Sequence, residues 1–195
     1  MPILKREADL SPPDLFELSQ SEHPWWVAWV RSRQEKGLAR HLAGHRVGFY
    51  LPQAEKQVRR AGRTFVSTLP LFSGYLFFRG GAEARREALR SNLIVQVLPV
   101  PDQERLHGEL ASLRQLQESG APLVPYPYLE AGDEVEVVDG PFRGWTGRVL
   151  REKGRLRLIV SITLLRQSVA AELDREALAP LRVPQTPLAL RAAAR

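Results

Sequence analysis

Apolar residues in the first half of this chain recur with two alternating periods. Trp25-Trp-Val-Ala-Trp-Val30 is a β-prone run between Pro24 and the charged segment Arg31–Glu35, which predicts a strand. Leu38, Leu42 and His45 then recur at near-helical spacing, with Lys36, Arg40 and Arg46 on other faces. That pattern predicts a helix over about 34–46, closed near Gly44 or Gly48. Phe49-Tyr50-Leu51 is a short strand stopped by Pro52, and 54–60 and 64–68 are the arms of a hairpin around Arg60-Ala-Gly-Arg63. Tyr75–Phe78 reads as a strand, Ala82–Arg90 as a helix and Leu93–Leu98 as a strand. A helix then runs from Asp102, its N-cap, to Glu118. The order β-α-β-β-β-α-β-α with short connections predicts an α+β sandwich on an antiparallel sheet. A block of about 95 residues is large enough to fold alone.

The pattern changes after Ser119. Gly120 and three prolines (Pro122, Pro125, Pro127) fall before Glu130, which predicts an open linker reaching roughly 35–40 Å when extended. Beyond it, 135–138, 147–150, 157–160 and 169–173 are short β-prone runs at regular spacing, sized for a small SH3-like β-barrel. The expected domain plan is a flexible leader over 1–24, an α+β domain over 25–119, a linker over 120–130, a barrel over 131–181 and a disordered tail over 182–195.

Composition narrows the class of function. The chain has 195 residues, no cysteine and a net charge of +6, which excludes disulfides and thiolate metal sites and fits a reducing cytoplasm. The longest apolar runs are far short of a membrane span, so no membrane partner is expected. The charge is uneven: residues 25–120 carry 15 Lys and Arg against 8 Asp and Glu, and residues 121–195 carry 11 against 9. The basic excess lies in the first domain, where it favours a nucleic-acid neighbour over an ordinary soluble surface only in combination with other features.

Strand periodicity places Trp25, Val27, Trp29 and Arg31 on one side, and likewise Tyr75, Phe77 and Arg79. A sheet with helices on one face uses one aromatic set as core, and the second set is then covered by something else or exposed as an interface. In the second half, Gly140, Gly144 and Gly147, with Pro141 fixing φ, give a tight turn in Asp139-Gly-Pro-Phe-Arg-Gly-Trp-Thr-Gly147.

This glycine turn, together with Trp25–Arg31, Leu51-Pro52, Arg63 and Pro70-Leu-Phe-Ser-Gly-Tyr-Leu-Phe-Phe78, resembles the NusG family of transcription elongation factors, and in particular its RfaH-like paralogues. The resemblance implies an NGN-type domain that binds bacterial RNA polymerase and a KOW barrel that recruits a partner. On that alignment Trp29, Phe72, Tyr75 and Phe77 form the pocket for the clamp helices of the polymerase. Binding there would hold the clamp closed and suppress pausing or termination. The basic set Arg31, Arg33, Lys36, Arg40 and His41 corresponds to the region that meets the non-template DNA strand in RfaH-like relatives. Gly140, Pro141, Phe142, Gly144 and Gly147 correspond to the KOW motif, whose partner would be a ribosomal protein or a termination factor. Ser73 stands where the family usually has Pro, and Ala82–Arg90 lacks the threonines of the RfaH-like second helix. Housekeeping NusG and a stand-alone RNA-binding module are the alternatives.

Neither a phosphate-binding G-x-x-x-x-G-K-[ST] loop nor a G-x-G-x-x-G motif is present, and the four histidines lack a triad context, so no catalysis and no cofactor is expected. His41 and His45 sit four apart on a predicted helix, which places two ligand atoms on one face. No His-Glu-x-x-His pattern or third ligand accompanies them in sequence, so no metal is expected either. The glycines and β-branched residues of 133–173 favour strands over helix. The second domain is therefore expected to be constitutively β and to tumble independently of the first.

Overall fold

The computed structural model describes residues 6–126, 134–137, 145–152 and 155–173. In chain order the strands of the first part are β1 (Leu10–Ser11), β2 (Trp25–Val30), β3 (Gly48–Tyr50), β4 (Gln53–Arg60), β5 (Arg63–Pro70), β6 (Tyr75–Arg79) and β7 (Ile94–Leu98). The helices are α1 (Glu35–Gly44), α2 (Ala82–Arg90) and α3 (Gln103–Glu118). Apart from β1, each lies within about two residues of its expected range. Asp102 caps α3 as predicted, accepting the Arg105 backbone N–H at 2.9 Å.

The first sheet has the order β1-β3-β6-β2-β7, antiparallel throughout. Both of its faces are covered, not one. Ala28, Val30, Leu76 and Phe78 pack with Leu38 and Leu42 of α1 and Ala88 of α2. On the opposite face Trp25, Val27, Tyr50 and Phe77 pack with Leu106, Leu110, Leu113 and Leu116 of α3. β4 and β5 leave this sheet as a separate two-stranded hairpin.

The leader is the first correction. Residues 6–24 were expected to be flexible, but β1 pairs with β3, Leu15 is fully buried, and Phe16 lies 5.4 Å from the rings of both Trp25 and Tyr50. The cause is Arg79, itself only 2% exposed. Its guanidinium donates to the carbonyls of Leu15 at 2.6 Å, Leu18 at 2.9 Å and His23 at 2.8 Å. A buried cation needs such acceptors, and it binds the leader to the sheet in finding them. Gly48 completes the fit, because a Cβ there would stand 2.5 Å from the Leu15 side chain.

The second correction falls on the linker, while the four strands expected beyond it are present. Residues 123–126, placed inside the expected linker, form β8 (Leu123–Tyr126). It pairs antiparallel with β12 (Gln167–Leu173) in a second sheet that also contains β9 (Glu134–Val137), β10 (Trp145–Glu152) and β11 (Arg155–Ile162), in the order β8-β12-β11-β10-β9. Pro125 is tolerated because β8 is an edge strand. The second sheet does not stand apart. Leu158, Val160, Ile162, Val169 and Ala171 belong to the same buried cluster as the α3 leucines and Phe77.

His107 of α3 sits at the centre of the leader, the first sheet and the helix. Its Nδ1 accepts the Trp25 indole N–H at 3.2 Å and its ring lies 5.6 Å from Phe16. An accepting Nδ1 puts the proton on Nε2, so the ring is neutral. Burial first, and the Arg79 charge second, push its pKa below the ordinary histidine value. A depressed histidine pKa means that the folded state binds fewer protons than the unfolded one. Its stabilising contribution is therefore fully present above the unfolded value of about 6.5 and is lost as pH falls from there through the lower folded value. Urea denaturation from pH 7.5 to 5.5 is expected to show a larger loss of stability in the wild type than in His107→Gln, which keeps an acceptor for Trp25 but does not titrate. Parallel pH profiles for the two proteins would contradict this.

Candidate docking surface

β2 and β6 run antiparallel with Trp29 opposite Tyr75, Val27 opposite Phe77 and Trp25 opposite Arg79. The expected aromatic face therefore exists, but its members divide. Phe77 is 0% and Phe72 1% exposed, both inside the cluster that includes α3. Trp29 is 44% exposed, and Tyr75 is half-buried beside it. The core claims one end of the strand pair and leaves the other end in solvent.

The turn before β6 holds that open end in place. Tyr75 N–H donates to the Phe72 carbonyl at 3.1 Å, closing a four-residue turn whose third residue, Gly74, has φ +85°. That position of a type II turn requires positive φ, which glycine adopts without strain. Two further bonds fix the turn. Gly74 N–H donates to the buried Glu35 carboxylate at 2.7 Å, and the Gly74 carbonyl accepts Val30 N–H at 2.7 Å. Ser73, where the family usually has Pro, thus sits in a turn tied to both α1 and β2.

The basic set also divides. Arg31 and Arg33 are exposed just past β2, with Arg33 at φ 63°. Lys36 is 8% exposed, its ammonium donates to the Thr68 carbonyl at 2.9 Å, and burial lowers its pKa. Arg40 pairs with Glu7 at 2.7 Å, and His41 turns toward α2, its Nε2 lying 3.2 Å from the Glu87 carboxylate. The helix thus directs Lys36 and His41 inward, so five basic residues near in sequence do not make one open patch. Exposed Lys56, Arg59 and Arg63 lie instead on the β4–β5 hairpin, a grouping the sequence reading missed. Its signal was the Arg-Arg-Ala-Gly-Arg turn itself.

Of the residues assigned to the KOW turn, Gly140, Pro141, Phe142 and Gly144 lie outside the described residues. Gly147 lies in β10, opposite Val135 of β9. The second sheet meets α3 through polar bonds as well as apolar contact. Glu109 accepts the Thr163 backbone N–H at 3.0 Å and the Thr163 hydroxyl at 2.6 Å, and Arg105 donates to the same hydroxyl at 2.9 Å.

Residues 23–104 match the family model described as transcription termination factor nusG. The matched segment spans β2 to the first turn of α3, and so contains the whole candidate surface. The chain is also similar to a solved structure titled "Domain interaction in Thermotoga maritima NusG". The identity is 19%, the match covers 82% of this chain and 97% of that one, and the TM-score is 0.45. No curated protein matches the chain. Among the described residues, no helix is long and apolar enough to cross a membrane.

The expectation of independent tumbling conflicts with the shared core, because separating the sheets would expose Leu158, Ile162 and the α3 leucines. Each such side chain costs about 1.5–3 kcal/mol to bring into water. Nitrogen-15 relaxation on the full chain is expected to give residues 155–173 the same rotational correlation time as residues 75–98. Glu109→Ala, which removes both acceptors of Thr163, should lower the correlation time of the second sheet. Distinct correlation times already in the wild type would refute the shared core.

Proposed function

We propose that this chain is a NusG-type transcription elongation factor that docks on RNA polymerase through the Trp29–Tyr75 pair. The observation that carries the reading is an indole held 44% exposed on a strand whose other apolar side chains are all at least half-buried. It lies in the segment that matches the NusG family model, and that match fits a role in transcription elongation or termination. Large aromatics in a fixed backbone are the side chains that supply most of the energy of protein interfaces. The Glu35–Gly74 tie keeps the pair ordered before binding, which reduces the entropy lost on association.

In this reading the clamp helices of the polymerase take the Trp29–Tyr75 end, and Phe72 and Phe77 shape it from beneath. Arg31 and Arg33 emerge next to it, where they meet the non-template DNA strand. Docking holds the clamp closed and suppresses pausing or termination, since a ligand shifts an equilibrium by its differential affinity for the two states. The second sheet recruits a further protein through the Gly140–Gly147 turn. The chain works by binding and not by catalysis.

The test compares exposed with buried members of the aromatic set. Trp29→Ala and Tyr75→Ala are each expected to weaken binding to core RNA polymerase by about 2 kcal/mol, roughly 30-fold, with the thermal midpoint little changed. Phe77→Leu should instead lower stability and leave the affinity of the folded fraction within a few-fold of wild type. Unchanged polymerase affinity in both exposed-site variants, with native circular dichroism, would sink the reading.

A further inference from the structure

The third ligand that the sequence withheld from His41 and His45 is supplied by the fold. α2 packs beside α1 on the same face of the first sheet and brings Glu87 against both rings. Glu87 Oε1 lies 3.2 Å from His41 Nε2 and 3.4 Å from His45 Nε2. The two rings are 4.3 Å apart between centroids, and one ligand atom from each of the three residues falls within 4.8 Å of the others.

We propose that His41, His45 and Glu87 form a zinc-binding site that ties the C-terminal end of α1 to α2. Four ligands at zinc's usual distance of 2.0–2.1 Å stand about 3.3 Å apart along the edges of a tetrahedron. The two carboxylate–imidazole separations already have that length. Two histidines and one glutamate are also a donor set that zinc accepts with its fourth position left to water.

The surroundings of each ligand suit the role. His45 Nδ1 lies 2.8 Å from the His41 carbonyl, which can only accept, so in the neutral ring the proton is on Nδ1 and Nε2 carries the lone pair. A histidine whose other nitrogen donates to a backbone carbonyl is the usual arrangement around a metal, because it fixes both tautomer and ring orientation. His41 Nε2 faces two acceptors, the Glu87 carboxylate and the Glu87 carbonyl at 3.1 Å. Zinc binds this nitrogen once its proton has moved to Nδ1, so that the ring stays a neutral ligand. Arg90 donates to the other oxygen of Glu87, Oε2, at 3.0 Å. That bond occupies Oε2 and leaves Oε1 to the metal. The site lies where α1 ends, and the partial negative charge of a helix C-terminus favours a cation.

The fourth position has an exit. His45 and Glu87 line a cleft that also includes His23, Gly80, Gly81 and Glu83, so a water on the metal faces open space. The metal is a staple between two helices that form the cover of one sheet face, on the side of the sheet opposite α3.

The experiment uses the full, tag-free chain and zinc alone, titrated in competition with a chromophoric chelator. One zinc per chain is expected, with a raised thermal midpoint, since a ligand that binds only the folded state stabilises it. His45→Ala and Glu87→Gln should each lose at least about tenfold in affinity, while Glu104→Gln, an exposed acid on α3, should keep it. Cobalt gives an independent reading on the same proteins: visible bands of a tetrahedral site in the wild type, absent in Glu87→Gln. Circular dichroism confirms that the variants are folded. Absence of stoichiometric zinc in the wild type, or wild-type affinity in both ligand variants, would overturn the proposal.

Discussion

The structure depends on α3 being buried on more than one side. At 100° per residue, Gln103, His107, Leu110 and Gln117 recur along one face of this helix. There Gln103 and His107 bond to Trp25, and Gln117 bonds to Tyr50 and to the Gln53 carbonyl. Arg105 and Glu109 lie well round the helix and hold Thr163, in the turn between β11 and β12 of the second sheet. Leu110 and Leu116, both fully buried, are about 120° apart on the helix. One helix therefore serves as a wall for two sheets, and neither sheet has a complete core without it.

That arrangement decides which aromatic residues remain available to a partner. Trp25 and Phe77 stand under α3 and the leader, with Phe72 beside them in the same core, and are spent on stability. Trp29 and Tyr75 extend past the cover, at a turn fixed by Glu35. The same division acts on the charges: a cation pointing into the fold finds a carbonyl, as Lys36 and Arg79 do, and one pointing away stays open, as Arg31 and Arg33 do. Binding chemistry is confined to what the core does not use.

Much of the first half was legible in sequence because its elements are long and strongly periodic. Trp25–Val30, Ala82–Arg90 and the Asp102 cap needed only local reasoning. What was missed is non-local. The leader reads as polar and proline-containing, and its order comes from Arg79, far along the chain. Pro125 argued for an open linker, and an edge position beside β12 made it a strand. Phe72 and Phe77 are alike in sequence to Trp29 and Tyr75, and only the placement of α3 separates them. In the same way His41 and His45 read as a pair without a partner until α2 brought Glu87 to them.

The central claim, that α3 is stabilised from both sides, is tested most directly by native-state hydrogen exchange along that helix. The full chain is compared with a chain ending at Ala121. In the full chain the amides of Leu110, Leu113 and Leu116 should exchange only with the slowest group in the protein. Without the second sheet their protection should drop by at least about tenfold, a difference of about 1.4 kcal/mol or more, while the amides of β2 and β6 lose less. Equal protection of α3 in the two chains would contradict the account.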